Sequence, residues 1–375
     1  MGTAGAAMVI RDGDLMCKRL ASTDPDMPPA EKPTDSEIEF AHFPSTDSHA
    51  GMFSIWVRAR FVLEWLLLRG VVRVVPCLPY GCLKWLAARL GALTCWVDYR
   101  GRGVALENLR LAFPELSLRE LKRLRQRNYQ TFARVFAELF WSRNFTKDTM
   151  DRFVTTHVES PATRQAMETG CIFATIHSGN FEWLSRTAAL MGYPSMIVGA
   201  DFLNARLTPI FRELRQVDGH ILIPQENAVL RLFRHLKRQG RTAMLVDLNV
   251  PTSQSATIIQ CFGMETCVTL AHAALAQRTG TPIVPAISLL QPDGRYAMHF
   301  LEPILVQSEN SWQSVTQLIW DRLEMHLRKQ PEMWLWMYKH WRYLPASVPA
   351  TAYPRYAHRS KKYDKLAAEV AAKKD

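Results

Sequence analysis

The sequence predicts an α/β protein in which N-terminal apolar helices precede a mixed α/β core. Two observations support this fold class. A strongly apolar segment at residues 53–79 is followed by helical periodicity up to Trp141, and from about Ser160 short β-branched runs alternate with amphipathic segments. The predicted divisions are an N-terminal extension of residues 1–52, a single domain of residues 53–345 and a basic tail of residues 346–375.

The start of the chain has two contrasting parts. Residues 1–52 are rich in Asp, Pro, Ser and Thr without an apolar period, which predicts a disordered extension, and no secretory signal is recognisable. Residues 53–79 are long enough to cross a bilayer but contain five charged residues. Each charge at the bilayer centre costs about 2.5–3.5 kcal/mol, more than one apolar residue returns. We therefore predict a helix lying in an anionic membrane interface; a single membrane anchor and a helix in the protein core are the alternatives.

The charged residues of this helix fall into two groups. Arg58, Arg69 and Arg73 lie in one stripe about 60° wide at helical pitch, which suits contact with anionic headgroups. Arg60 and Glu64, on the other side, are four residues apart and are predicted to form an ion pair.

Two further helices follow. Tyr80–Trp96 is apolar, and the helix that continues to about Trp141 begins at a capping box formed by Ser117 and Glu120. This second helix has a dense basic face from Arg119 to Arg127. Simple solvation is the alternative interpretation of that face.

The charge and cysteine content restrict the compartment and the partners. A net charge of +11 and a pI near 9.4 indicate an acidic partner: nucleic acid, an anionic membrane or an acidic protein. The basic residues are scattered over several helices without a nucleic-acid-binding motif, which argues against nucleic acid. The seven cysteines lie among apolar neighbours without paired CxxC spacing, so they are predicted to be buried thiols, with no zinc site.

The core is predicted element by element from residue 160 onward. The predicted helices are 161–168, 181–190, 207–216, 227–239, 269–278 and 311–329, and the predicted strands are 171–176, 195–199, 220–223, 242–246, 257–262, 282–290 and 295–301. Gly240 is the expected stop of the fourth helix, and Pro292-Asp293-Gly294 predicts a hairpin between the last two strands. Pro331–Tyr343 is either a membrane-interface segment or a buried aromatic element, and the lysines after Arg355 are solvated or face lipid.

The stretch Cys171–Gly192 carries the strongest indication of chemistry. A buried strand ends at His177, Ser178-Gly179-Asn180 forms a turn, and Glu182 lies in the first turn of the next helix. Across this strand–turn–helix His177 and Glu182 are expected to converge as a general-base dyad. Helix capping is the expected role of Ser178.

Spacing alone does not establish the dyad. With 11 His and 35 Asp and Glu residues, about one His-x4-acid pair is expected by chance, and His42 with Asp47 is such a pair in a polar flank. A strand-end histidine beside a helix-start acid is therefore the alternative interpretation. Asp247 and Asn249 follow another buried strand, and in open α/β sheets ligands bind at this edge. An ordinary turn acid is the alternative for Asp247.

A resemblance to a known family rests on motifs in register. These are Asn108-Leu109-Arg110-Leu111-Ala112-Phe113-Pro114-Glu115-Leu116, His177-x4-Glu182, Asp247, Phe262-Gly263, Pro285 and Trp336-Met337-Tyr338-Lys339-His340-Trp341-Arg342. The chain resembles the bacterial lipid A biosynthesis acyltransferases of the late lauroyl or myristoyl type, over residues 71–345. Three departures are the absence of a Tyr-Arg-Pro stretch near Val198–Phe202, Cys261 in place of Phe, and the extension of about 50 residues.

The resemblance implies a membrane-associated O-acyltransferase at the cytoplasmic face of the bacterial inner membrane. It implies His177 and Glu182 as the catalytic dyad, and Asn204, Arg215 and Asp247 as substrate-binding positions, to which the strand-end Asn249 is added. The acyl donor would be an acyl carrier protein thioester, or else a coenzyme A thioester, with no cofactor, no metal and no nucleic acid. Anionic membrane lipid is the further partner, and a lipid A precursor the expected acceptor. Alternatives are acyl transfer from coenzyme A to a lysophospholipid or other polar lipid, and a catalytically silent lipid-binding relative.

Overall fold

The structure, a computed structural model, describes residues 55–199, 201–252 and 255–372. The predicted extension of residues 1–52, including His42 and Asp47, lies outside the described residues. The described part of the chain begins with four helices: α1 (Ile55–Val74), α2 (Tyr80–Val97), α3 (Tyr99–Ala112) and α4 (Leu118–Trp141). Ser117 and Glu120 form the predicted capping box of α4, which fixes its start.

Helix α1 has no buried residue, and its residues are exposed or half-buried. The predicted pair is present, because Arg60 Nε lies 2.7 Å from Glu64 Oε1. Among the described helices, none is long and apolar enough to cross a membrane.

The core elements alternate along the chain. The described strands are β1 (Val154–Val158), β2 (Ile172–Thr175), β3 (Met196–Gly199), β4 (Ile221–Pro224), β5 (Thr242–Leu245), β6 (Ala256–Cys261), β7 (Met264–Thr269), β8 (Ile283–Leu290) and β9 (Tyr296–Phe300). The described helices after α4 are α5 (Pro161–Thr169), α6 (Phe181–Leu190), α7 (Thr208–Arg215), α8 (Ala228–Leu236), α9 (Ala271–Thr279), α10 (Trp312–Lys329) and α11 (Lys361–Ala371).

Seven strands form one sheet in the order β1-β9-β8-β2-β5-β3-β4, and β6 with β7 forms a separate hairpin. All neighbouring pairs of the large sheet are parallel except β8 and β9, which form the predicted hairpin. The mixed α/β prediction is therefore confirmed. All four residues of the central strand β2 are buried, as expected for a parallel strand covered on both faces.

Strands β1 and β7 escaped prediction. The chain turns between β6 and β7 at Phe262 and Gly263, whose φ angles are +50° and +78°. Two positive φ angles are typical of a tight hairpin turn, but Asn or Asp usually occupies the first position. Because Phe262 stands there instead, the sequence did not indicate a hairpin turn. The ring of Phe262 is buried, and its centroid lies 5.5 Å from that of Trp334 and 5.1 Å from that of Trp336, so packing favours it there.

Helix α8 is shorter than predicted. It ends at Leu236, and residues 237–239 form a turn in which Gln239 has a φ of +58°. Gln239 takes the left-handed C′ position expected of Gly240, and the amide of Gly240 donates to the carbonyl of His235 at 3.0 Å, so Gly240 is the next residue of the cap.

The C-terminal segments decide two open alternatives. Trp334, Trp336 and Trp341 are each fully buried, so the aromatic segment belongs to the protein core. In the tail, the lysines of α11 are exposed, whereas Tyr363 is fully buried and donates to Glu265 at 2.8 Å. The cysteine prediction is partly wrong, because Cys77 and Cys82 are exposed while the other described cysteines are buried.

Candidate active site

The turn after β2 is held from two sides. Gly179 has a φ of +52°, and a Cβ there would lie 2.2 Å from the carbonyl oxygen of Ser288, so only glycine fits. Its amide donates to the carbonyl of Met333 at 2.9 Å, and the amide of Asn180 donates to Ser288 Oγ at 3.2 Å. The backbone that follows His177 is therefore fixed by strand β8 and by the segment before Trp334.

The register of β2 and β5 brings His177 and Asp247 together. Thr175 pairs with Leu245 in this parallel ladder, and His177 and Asp247 each lie two residues further on. His177 Nδ1 lies 2.8 Å from Asp247 Oδ1, and the backbone amide of His177 donates to Oδ2 at 2.9 Å. The expected convergence at the carboxyl edge of the sheet is thus realised by an acid 70 residues away in the sequence.

The Asp247 carboxylate is fully buried yet charged. Burial alone raises its pKa, but electrostatic attraction to the neighbouring His177 ring and the hydrogen bonds that His177 donates outweigh this effect and hold the pKa below its ordinary value. Trp334 Nε1 also donates to Oδ2, at 2.8 Å. Because an anionic carboxylate only accepts hydrogen bonds, Nδ1 of His177 carries a proton, and Nε2 is the nitrogen left for a substrate.

Glu182 has a different partner from the predicted one. The Glu182 carboxylate accepts hydrogen bonds from Nε and from a terminal nitrogen of Arg215. The Nε atom lies 3.1 Å from each carboxylate oxygen. The charge of Glu182 raises the pKa of the Arg215 guanidinium. The carboxylate at Nδ1 of His177 is therefore that of Asp247, because the strand register places it there, whereas Glu182 on α6 bonds Arg215 on α7.

His340 covers the other side of the Asp247 pocket. Its ring stacks on Trp334 with centroids 3.8 Å apart, and its Nε2 lies 2.8 Å from the carbonyl oxygen of Leu335. Burial lowers the pKa of His340 to about 4, so the ring is neutral at physiological pH. Trp334 and His340 were missed as site residues, although their place in the dense aromatic run Pro331–Tyr343 was a signal.

Two asparagines predicted to bind substrate make structural contacts. The Asn249 side chain donates to the backbone carbonyl of His340 at 3.0 Å, and the backbone carbonyl of Asn249 accepts from Tyr338 OH at 2.8 Å. Asn204 donates to the carbonyl of Phe61 and to Glu64 on α1, at 2.9 and 3.1 Å. Asn249 therefore belongs to the wall beside Asp247, and Asn204 joins the loop before α7 to α1.

The helix after the turn is capped by Asn180. The Asn180 side chain accepts the amide of Trp183 at 2.8 Å, so the prediction that Ser178 caps α6 is wrong. Ser178 is buried, and its Oγ atom has no hydrogen-bond partner among the described residues. The cap lies one turn before Trp183, where an N-cap side chain is expected to bond the third amide.

The comparisons with known proteins cover the part of the chain that forms this site. A family model described as "Bacterial lipid A biosynthesis acyltransferase" matches residues 54–343. A lipid A biosynthesis lauroyltransferase of Escherichia coli K12 is 22% identical over 298 residues, which cover 78% of this chain and 95% of that protein. The match spans α1, the sheet, the His177 turn, Asp247 and the buried aromatic run. The chain belongs to the bacterial lipid A biosynthesis acyltransferase family.

Proposed function

We propose that the protein transfers a fatty acyl group from an acyl thioester to a hydroxyl of a lipid acceptor, such as a lipid A precursor, with His177 as general base. The observation that carries the proposal is the pair of His177 and Asp247 at the carboxyl edge of the sheet. About 10% of the His177 side chain is exposed, whereas Asp247 is fully enclosed. This arrangement leaves one basic nitrogen accessible and anchors the other.

The transfer then proceeds without a covalent acyl-enzyme. His177 Nε2 takes the proton of the acceptor hydroxyl while the oxygen of that hydroxyl attacks the thioester carbonyl carbon. The tetrahedral intermediate collapses with cleavage of the carbon–sulfur bond, and the imidazolium returns the proton to the departing thiolate. Asp247 stabilises the transient imidazolium and holds the ring in one tautomer.

Glu182 is proposed to act together with Arg215. The two hydrogen-bonded nitrogens of Arg215 hold its guanidinium in place, and the remaining donors of that group are not used by Glu182. The side chain of Arg215 is 27% exposed. We assign it to an anionic group of the substrate, with Glu182 as the residue that orients it.

The preferred donor is an acyl carrier protein thioester. The exposed basic face of α4, which we define as Arg119, Lys122 and Arg123, suits an acidic carrier protein. Asn128, on the buried side of the same helix, donates to the carbonyls of Glu332 and Trp334, at 2.8 and 2.6 Å. The helix that would receive the donor is thus connected directly to the wall of the site.

The protein is proposed to lie on the cytoplasmic face of the bacterial inner membrane. Arginine and tryptophan pair on the exposed N-terminal helices: Arg69 lies 4.9 Å from the Trp65 ring centroid and Arg89 lies 5.6 Å from that of Trp85. Such amphipathic pairs suit the headgroup region of an anionic bilayer. The single domain of residues 53–345 is proposed to dock through this surface.

A donor competition assay tests the proposal. The purified full-length protein receives equal acyl carrier protein and coenzyme A thioesters with a lipid A precursor, and products are identified by mass spectrometry. We expect acylated lipid A precursor formed mainly from the carrier protein, and at least a tenfold loss on replacing Arg119, Lys122 and Arg123 by Glu. The matched control replaces Lys361, Lys362 and Lys365, which are exposed on α11, and keeps the rate. Product formed only from the coenzyme A thioester contradicts the proposed donor, and lipid binding without transfer contradicts the proposed function.

A further inference from the structure

A fully buried carboxylate lies beneath the turn that carries His177. Glu138 is on the buried, mostly apolar face of α4, and its side chain has no exposed surface. An isolated charge in such a place costs several kcal/mol, so its partners must compensate for the lost water. This acid was missed in the sequence because it stands among the buried residues Val135 and Leu139, where a helical pattern predicts only core packing.

Four donors saturate the Glu138 carboxylate. Oε1 accepts Tyr80 OH and Arg134 Nε, each at 2.7 Å. Oε2 accepts Asn180 Nδ2 at 2.7 Å and Tyr296 OH at 2.9 Å. Burial raises the pKa of both tyrosines, so their hydroxyls remain protonated and donate. The four donors come from α2, α4, β9 and the catalytic turn, so the carboxylate joins four separate parts of the fold.

Asn180 uses both ends of its amide in this arrangement. The oxygen caps α6 at the amide of Trp183, and the nitrogen donates to Glu138. Asn180 lies between His177 and Glu182 in the sequence, so a shift of its side chain moves both ends of the strand–turn–helix. The Glu138–Asn180 bond therefore determines where the turn lies relative to α4.

We propose that Glu138 is a positioning residue for acyl transfer, which acts through Asn180 on the turn that carries His177. The inference rests on the proposed function. A displacement of about 1 Å at a catalytic group can cost on the order of 10²-fold in rate. The expected signature is a lower kcat at an unchanged KM, because Glu138 touches neither donor nor acceptor.

An exchange of the two groups tests this assignment. Asn180→Asp retains a good helix cap but places two carboxylates against each other. Glu138→Gln sets its amide nitrogen against a donor in either orientation, the Asn180 amide in one and Arg134 Nε in the other. Each single variant is expected to lower kcat about 10²-fold with KM within twofold of wild type. In the double variant the amide now at position 138 donates to the carboxylate now at position 180, so kcat is expected to recover to within about tenfold of wild type.

Two further variants separate positioning from stability. Asn180→Ser also caps the helix but is too short to reach Glu138, so it is expected to keep the melting temperature near that of wild type and to lower kcat at least tenfold. Tyr363→Phe removes a comparable buried phenol–carboxylate bond, to Glu265, and is expected to leave kcat unchanged.

Three results overturn the inference. One is a folded double variant that remains as slow as the single variants, and another is Asn180→Ser with wild-type kcat. The third is a loss of kcat that merely follows the loss of melting temperature across the series. If the single variants do not fold, Asn180→Ser decides the matter alone. A wild-type protein without acyl transfer refutes the proposed function instead, and that result is distinct from these three.

Discussion

At the scale of single residues, two carboxylates compete for the role of partner to His177. Asp247 bonds Nδ1 and the backbone amide of His177, whereas Glu182 bonds Arg215. The two acids are therefore proposed to act separately. Asp247 holds the tautomer of the His177 imidazole, and Glu182 orients Arg215. Substituting each by its amide distinguishes them, because the shape is retained while the charge is removed.

We expect Asp247→Asn to lower kcat by about 10²–10⁴-fold, since an amide oxygen or nitrogen at this position no longer stabilises the imidazolium. Glu182→Gln should instead raise the KM for the lipid acceptor about tenfold, with a smaller loss of kcat, because Arg215 loses its anchor. Steady-state kinetics on folded variants provide both constants. The reverse order, with Glu182→Gln destroying kcat and Asp247→Asn nearly silent, contradicts the assignment of the two acids.

Ser178 adjoins His177, and its hydroxyl has no hydrogen-bond partner within the part of the chain that the structure describes. We expect Ser178→Ala to retain transfer within about fivefold, because a general-base mechanism needs no serine nucleophile. The measurement is the single-turnover rate with a labelled acyl donor. Complete loss in this variant, together with a labelled acyl-enzyme trapped in the wild type, requires a covalent mechanism.

At the scale of elements, α1 is a 20-residue helix with no buried residue. Arg58, Arg69 and Arg73 are exposed, and each basic residue near an anionic surface is worth about 1 kcal/mol. Replacing the three by Glu should weaken binding to anionic phospholipid vesicles by about 10²-fold or more. Co-sedimentation at constant salt measures the effect, and zwitterionic vesicles are the control. Equal binding of wild type and variant to anionic vesicles contradicts the interfacial role of α1.

Most helices could be predicted from local pattern, because caps and periodicity are properties of neighbouring residues. The capping box of α4, the start of α6 at Phe181 and the hairpin glycine Gly294 are examples. Strand β7 was not predictable in this way, since its turn uses Phe262 at a positive φ that only packing against distant tryptophans explains.

In the candidate site too, features set by neighbouring residues could be predicted, and features set by distant residues could not. His177 and Asp247 were both assigned to the carboxyl edge of the sheet, because strand ends can be recognised locally. Their pairing depends on β2 and β5 being neighbours in register, and the sequence contains no local sign of that register. The burial and hydrogen bonding of Glu138 could not be predicted for the same reason, since all but one of its four donors lie at least 42 residues away.

At the scale of the whole molecule, buried histidines make stability depend on pH. Burial lowers the pKa of His272 and of His340 to about 4, and burial together with neighbouring histidines does the same for His299. Their unfolded pKa is about 6.5, so the unfolded chain binds more protons between these values. The stability that these residues contribute is therefore fully present above about pH 6.5 and declines as the pH falls towards 4.

We expect the free energy of unfolding, from urea titration, to decrease steadily from pH 7 to pH 5. His272→Leu should make this decrease shallower, because the leucine side chain takes up no proton in either state. His358→Gln, at an exposed position, is the control and should leave the slope unchanged. A stability that is constant or rises from pH 7 to pH 5 contradicts this prediction.

The central claim is that His177 is the base for acyl transfer to a lipid hydroxyl. Its most direct test is the rate at which folded His177→Ala transfers an acyl group from acyl carrier protein to a lipid A precursor. We predict a loss of at least 10²–10⁴-fold, the usual value of a positioned general base, with His42→Ala unaffected as the matched histidine control. A His177→Ala protein with a wild-type melting temperature and a near-normal rate of transfer would contradict the account.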